Sequence, residues 1–172
     1  MNEFNGDKVI SISCGGLHSL ALTENGNVYS WGHNEYGQLG RNCGEENHSS
    51  YPKLIELYEE IFFDSIACGP LHSLLLSRNI DIYVFRNNSN HELGINGKHI
   101  LPLKKSSSHK FTEIAAHFNY AFSCALSTNG IYYIWGKVSE NEINRKPKGT
   151  QFNTFNEIMH YFGITYKTIC NE

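Results

Sequence analysis

Nine histidines and five cysteines are the residues of this 172-residue chain whose types could do chemistry, because imidazole and thiolate are common zinc ligands. Cys14 precedes His18 by four residues, and Cys68 precedes His72 by the same step. The other histidines, at 33, 48, 91, 99, 109, 117 and 160, form no His-x-x-x-His pair. Cys14, Cys43, Cys68, Cys124 and Cys170 have at least 24 residues between neighbours, which excludes Cys-x-x-Cys spacing and argues against a disulfide framework. Gly94-Ile95-Asn96-Gly97-Lys98 has the glycines of a phosphate loop but no Ser or Thr to hold magnesium, and it opens no helix. There is no Gly-x-Ser-x-Gly elbow, and acids such as Glu24 and Glu35 fall in predicted loops. No catalytic residue, metal or cofactor is therefore expected, and the chain does not read as an enzyme.

The Cys and His matches have an architectural explanation. Ile12-Ser13-Cys14-Gly15-Gly16-Leu17-His18-Ser19-Leu20-Ala21-Leu22 returns 54 positions later, without a gap, as Ile66-Ala67-Cys68-Gly69-Pro70-Leu71-His72-Ser73-Leu74-Leu75-Leu76. Val28-Tyr29-Ser30-Trp31 matches Ile82-Tyr83-Val84-Phe85, and a third copy runs from Phe122 to Gly130 and through Tyr132-Tyr133-Ile134-Trp135-Gly136. A period near 50 marks a repeat architecture. His18 and His72, like Cys14 and Cys68, then occupy repeated structural positions. Trp31, Phe85 and Trp135 share one position and read as packing between repeats.

Within each copy the pattern is β. Ile10, Ile12 and Cys14 alternate with Ser11 and Ser13, and Leu20 with Leu22 continues the period of two. Asn25-Gly26 and Asn129-Gly130 are hairpin signals, because both residue types tolerate positive φ. Asn79-Ile80 stands there in the second copy and is expected to force a different hairpin. A fourth strand fits Lys53–Leu57, after a loop closed by Pro52. Four strands per repeat describe a propeller blade.

Lys and Arg number 14 against 17 Asp and Glu, a net charge of −3, so there is no global pull toward nucleic acid. Residues 1–60 hold nine acids and three bases, while residues 61–172 hold eight and eleven; such runs read first as solvated loops, and the functional alternative is a dipolar surface that orients a charged partner. The longest apolar runs, such as Leu74–Leu76, fall far short of the ~18 residues of a membrane span. Met1–Asp7 shows no secretory leader, and the cytoplasm is expected, with the nucleus as alternative.

The run Cys14-Gly15-Gly16-Leu17-His18-Ser19-Leu20-Ala21-Leu22-Thr23, then Asn25-Gly26, Val28-Tyr29-Ser30-Trp31-Gly32 and Gly37-Gln38-Leu39-Gly40, resembles the regulator-of-chromosome-condensation repeat family. The second copy keeps Gly69 and Gly94 but has Phe85 for Trp and Arg86 for Gly, and the third keeps Trp135-Gly136 but lacks the His. The resemblance implies a β-propeller, seven-bladed in the complete protein. The fold expected is all-β: a partial propeller of about three four-stranded blades over 1–150 (repeats about 8–60, 61–108 and 109–150). At this period 172 residues do not close a ring, so an open fan is expected, with the Ile10, Ile12 and Leu20, Leu22 sets uncovered.

Thr154-Phe155-Asn156-Glu157 has capping-box spacing, and Phe155, Ile158, Met159 and Phe162 share one helical face, so 151–172 reads as a short amphipathic helix and linker. Together with Ile114-Ala115-Ala116 and Trp135-Gly136, the segment 152–158 looks like the subfamily joining these repeats to a BTB domain. That resemblance implies a non-catalytic protein-interaction module, part of a BTB-linked scaffold or ubiquitin-ligase substrate adaptor. The alternatives are a guanine-nucleotide exchange factor-like regulator of a Ras-like GTPase, whose wedge-like insertion is not visible between these repeats, and a chromatin-binding propeller. Asn34, Glu35 and Tyr36, in a predicted loop, are the candidate partner contacts.

Overall fold

The computed structural model describes residues 4–44, 47–57, 59–86, 99–104, 110–117, 122–137 and 143–148, with backbone alone for 99–104, 137 and 143–148. The described strands are β1 (Val9–Cys14), β2 (His18–Thr23), β3 (Val28–His33), β4 (His48–Leu54), β5 (Phe63–Cys68) and β6 (Ser73–Ser77). They continue as β7 (Ile82–Arg86), β8 (His99–Lys104), β9 (Phe111–Ala116), β10 (Phe122–Ser127), β11 (Tyr132–Lys137) and β12 (Ile143–Lys148). Three antiparallel sheets form, β1-β2-β3-β4, β5-β6-β7-β8 and β9-β10-β11-β12, one per repeat. The fold is a partial β-propeller of three four-stranded blades. The segment 151–172, expected as a helix, lies outside the described residues, as does Gly94–Lys98.

The blades stack face to face. Leu20, Leu22, Val28 and Ile55 of the first blade pack against Phe63, Ile66, Cys68, Leu75, Tyr83 and Phe85 of the second. Leu74, Leu76, Ile82 and Val84, on the second blade's other face, meet Phe111, Ala125, Tyr133 and Trp135 of the third. Both faces of β6 and β7 are thus covered, and every residue of the two strands is buried. That is why Leu74-Leu75-Leu76 runs continuously instead of alternating.

Repeat-equivalent residues show what a neighbouring blade does. Ile66 is 9% exposed beneath the first blade, whereas Ile12, at the same repeat position, is 62% exposed. Ile10 is exposed as expected, but Leu20 and Leu22 are not: they face the second blade, so the expectation that both sets stay uncovered is corrected. Phe85 and Trp135 are completely buried in the seams, while Trp31 is half-buried.

Two local expectations are also corrected. In the β2–β3 turn Gly26 has φ +88°, and in the β10–β11 turn Gly130 has φ +80°, each N–H donating three residues back at 2.9 Å. Ile80 makes the same turn, with φ +56° and its N–H donating to the Ser77 carbonyl at 2.8 Å. The turn is held from outside by the Phe111 N–H, which donates to the Ile80 carbonyl at 3.1 Å, and from within by the Asp81 N–H, which donates to Ser77 Oγ at 3.2 Å. The fourth strand spans His48–Leu54 rather than Lys53–Leu57, pairing Gly32 with Ser49 and Tyr29 with Leu54. Pro52 is accommodated inside it because β4 is the outermost strand and its register shifts between those pairs.

Candidate functional site

Tight glycine turns set the repeated histidines into the seams. Gly15 N–H donates to the His18 carbonyl at 2.8 Å, and Gly69 N–H to the His72 carbonyl at 2.9 Å. A Cβ on either glycine would penetrate the imidazole lying across it, so only glycine fits. Each ring then reaches the next blade: His18 Nε2 lies 2.9 Å from Ser73 Oγ and His72 Nε2 2.8 Å from Ser123 Oγ. Ser73 Oγ donates its single proton to the Gln38 carbonyl at 2.9 Å. His18 must therefore donate from Nε2, and its Nδ1 is unprotonated.

The electrostatics agree with a neutral structural ring. Burial, reinforced by the positive charge of Arg86, lowers His18 to about 4. Burial, Arg86 and His18 together lower His72 to about 3. The Cys68 thiol is pushed up to about 12 by burial; the Cys68 backbone N–H donates to Ser13 Oγ at 3.0 Å, and the thiol donates to the Ser13 carbonyl at 3.4 Å. A thiol so raised is no nucleophile at neutral pH. Burial also raises Cys124, to about 11. Cys14, the equivalent of Cys68, is exposed. Among the described residues, no three His, Cys, Asp or Glu side chains converge as metal ligands.

The loop after β3 divides the candidate contacts. Asn34 is buried: its Oδ1 accepts from the Leu39 N–H at 2.9 Å and its Nδ2 donates to the Arg41 carbonyl at 2.9 Å. It is the loop's internal brace, not a surface contact. Glu35 is exposed and lies 3.5 Å from His33 Nε2. Tyr36 is half-buried, its ring centre 6.2 Å from that of His33. Gly37 and Gly40 have φ of +78° and +66°, and Gly40 sits against the Phe85 ring, where a Cβ would come within 2.9 Å of it. The repeated glycines at 37 and 40 therefore shape the loop and let the second blade close on the first.

A profile of the regulator of chromosome condensation (RCC1) repeat matches residues 9–38, and a second profile of the same repeat matches residues 25–76. Residues 9–76 thus match the RCC1 repeat family. Human X-linked retinitis pigmentosa GTPase regulator is 30% identical over 149 residues, 83% of this chain and 14% of that protein. Human E3 ubiquitin-protein ligase HERC2 is 38% identical over 91 residues, 52% of this chain and 2% of the ligase. The structure of Prp20p from Saccharomyces cerevisiae superposes with a TM-score of 0.68 at 30% identity, covering 85% of this chain and 37% of that one. The chain thus spans a small part of the curated relatives it matches.

In these RCC1 repeats the functional weight of the sequence motif lies in the seams. The serines at 13, 73 and 123 and Gln38 carry the seam bonds, and residue type alone did not mark them. For Ser73 and Ser123 the signal is positional: with Ser19 they are repeat equivalents, each directly following the position held by His18, His72 and Phe122. Among them only Ser19 has no imidazole partner among the described residues; its hydroxyl reaches Cys14 Sγ at 3.7 Å.

Proposed function

We propose that this chain is a non-catalytic protein-binding segment of an RCC1-type propeller serving a ubiquitin-ligase scaffold or substrate adaptor, with the linker at 151–172 leading into a BTB domain. The observation that carries the contact role is the disposition of the repeated polar groups. His18, His72, Ser73, Ser123 and Cys68 are buried and spent on holding blades together, which leaves exposed loops and apolar surface as what the chain presents. Leu17 and Tyr51 are both more than half exposed, as are Ile10 and Ile12. We read these exposed apolar side chains as the contact surface. A relative named as an E3 ubiquitin-protein ligase supports the ligase setting; the BTB link rests on residues 152–158.

A second reading, regulation of a small GTPase, is favoured by the relative named as a GTPase regulator, which aligns with most of this chain. One experiment separates them. The complete protein is purified from cells, probed for co-purifying ligase components, and assayed for release of fluorescent GDP from a panel of small GTPases. Ligase components without accelerated release support the adaptor. Accelerated release without ligase components replaces it with the regulator.

A further inference from the structure

The segment joining the first and second blades lines a groove of about 320 Å³ walled by apolar and polar side chains alike. Leu57 and Ile61 line it, half-buried against the seam core, and Phe62 forms an exposed lip. Glu56, Glu59 and Glu60 stand along its rim, all exposed. Their partners are what set them apart. Elsewhere acids are mostly matched: Glu24 by Lys8, Glu35 by His33, Asp64 by Arg78, Asp81 by Lys110, and Asp7 by the amides of Asn25 and Asn27. Glu56, Glu59 and Glu60 have no hydrogen bond or ion pair among the described residues, a state shared elsewhere only with Glu113 among the described acids.

The lip already holds one cation. The Arg78 guanidinium lies 5.4 Å from the centre of the Phe62 ring. The groove's frame is also pinned, because the Phe63 N–H donates to the Gly26 carbonyl and the Arg78 N–H to the Phe62 carbonyl, both at 2.9 Å. Its volume is at the low end for ligand pockets, roughly 300–1,000 Å³, which suits one or two side-chain anchors better than a cofactor. It also lies in the acidic part of the chain, where residues 1–60 hold nine acids and three bases.

We propose that this groove docks a basic polypeptide segment of a protein partner, an aliphatic anchor entering between Leu57 and Ile61 while flanking Lys or Arg residues meet Glu56, Glu59 and Glu60. The inference deepens the contact-module reading and rests on it. Peptide binding is measured directly, without ligase components or GTPases, so the adaptor reading can fail while the groove stands, and the reverse.

The test is fluorescence anisotropy on the complete protein with labelled peptides of about twelve residues. One alternates Lys and Leu, a second alternates Lys and Ser, and a third alternates Glu and Leu. The expected result is saturable binding of the Lys/Leu peptide alone, weakening as salt rises. The E56Q/E59Q/E60Q variant should bind it about tenfold more weakly, since each exposed pair contributes a fraction of a kcal/mol up to about 1. Ile61→Ser should weaken it comparably, with circular dichroism unchanged in both variants. Equal affinity for wild type and the glutamine variant would overturn the proposal, as would equal binding of Lys/Ser. Sedimentation is run alongside, and self-association that the glutamine variant abolishes would assign the groove to a second copy and overturn it too.

Discussion

His18 of the first blade donates through Nε2 to Ser73 of the second at 2.9 Å, and Ser73 in turn donates back to the Gln38 carbonyl of the first. One hydroxyl thus closes a buried loop of hydrogen bonds across the seam. His72 and Ser123 repeat the contact at the next seam, and Phe122 stands where a third such histidine would.

Removing the hydroxyl should therefore matter at one repeat position and not at its equivalent. Ser73→Ala leaves the His18 N–H and the Gln38 carbonyl buried without a partner, at a cost of about 1–3 kcal/mol. Ser19→Ala removes only a long contact to Cys14 and should cost less than about 0.5 kcal/mol. Urea denaturation of both variants checks this; equal losses would show that the loop of bonds does not stabilise the seam.

Acid should loosen the seams before the carboxylates titrate. His18 and His72 fall from an ordinary 6.5 to about 4 and about 3 in the folded chain, so the unfolded chain binds more protons below pH 6.5. Stability is thus full well above pH 6.5 and declines as pH falls, through about 4 for His18 and about 3 for His72, by up to about 1.4 kcal/mol per pH unit for each histidine. Denaturation midpoints at pH 7, 6 and 5 read the slope. It should be shallower in His18→Gln than in wild type, and an unchanged slope would assign the effect elsewhere.

The β6–β7 turn holds a β-branched residue in the left-handed region, which costs an L-residue about 1–2 kcal/mol. Glycine removes that strain and returns part of the gain to the flexibility of the unfolded chain. Ile80→Gly should stabilise by about 0.5 kcal/mol or more. In the equivalent turn, Gly26→Ala should destabilise, since its Cβ would lie 2.9 Å from the Phe62 Cβ and 3.1 Å from Arg78 Nη2. Thermal melts of the two variants should move in opposite directions.

Equivalent isoleucines should respond unequally. Ile66→Ser opens a hole in a seam and should cost about 2–4 kcal/mol, whereas Ile12→Ser acts on an exposed side chain and should fall within about 0.5 kcal/mol. Similar losses at the two sites would mean that the Ile12 face is covered in solution.

Much of this was legible along the chain. The 54-residue period, the alternation in β1 and the Asn-Gly turns at Asn25-Gly26 and Asn129-Gly130 name strands, turns and blade order, because they depend on near neighbours. The repeat also explains the histidines, since a position recurring with the architecture belongs to it. Which face of each strand is covered was decided by the stacking of blades. Leu20 and Ile12 look alike in sequence, and only packing against Phe63, Ile66 and Leu75 buries one and not the other. Ile80 adopts a glycine turn because Ser77, Asp81 and Phe111 hold it there, overriding local preference. The tautomer of His18 depended on a proton 55 residues away, on Ser73, whose use by Gln38 no local pattern encodes. Short-range sterics are written in the residue order; hydrogen-bond direction and burial are set only when distant segments meet.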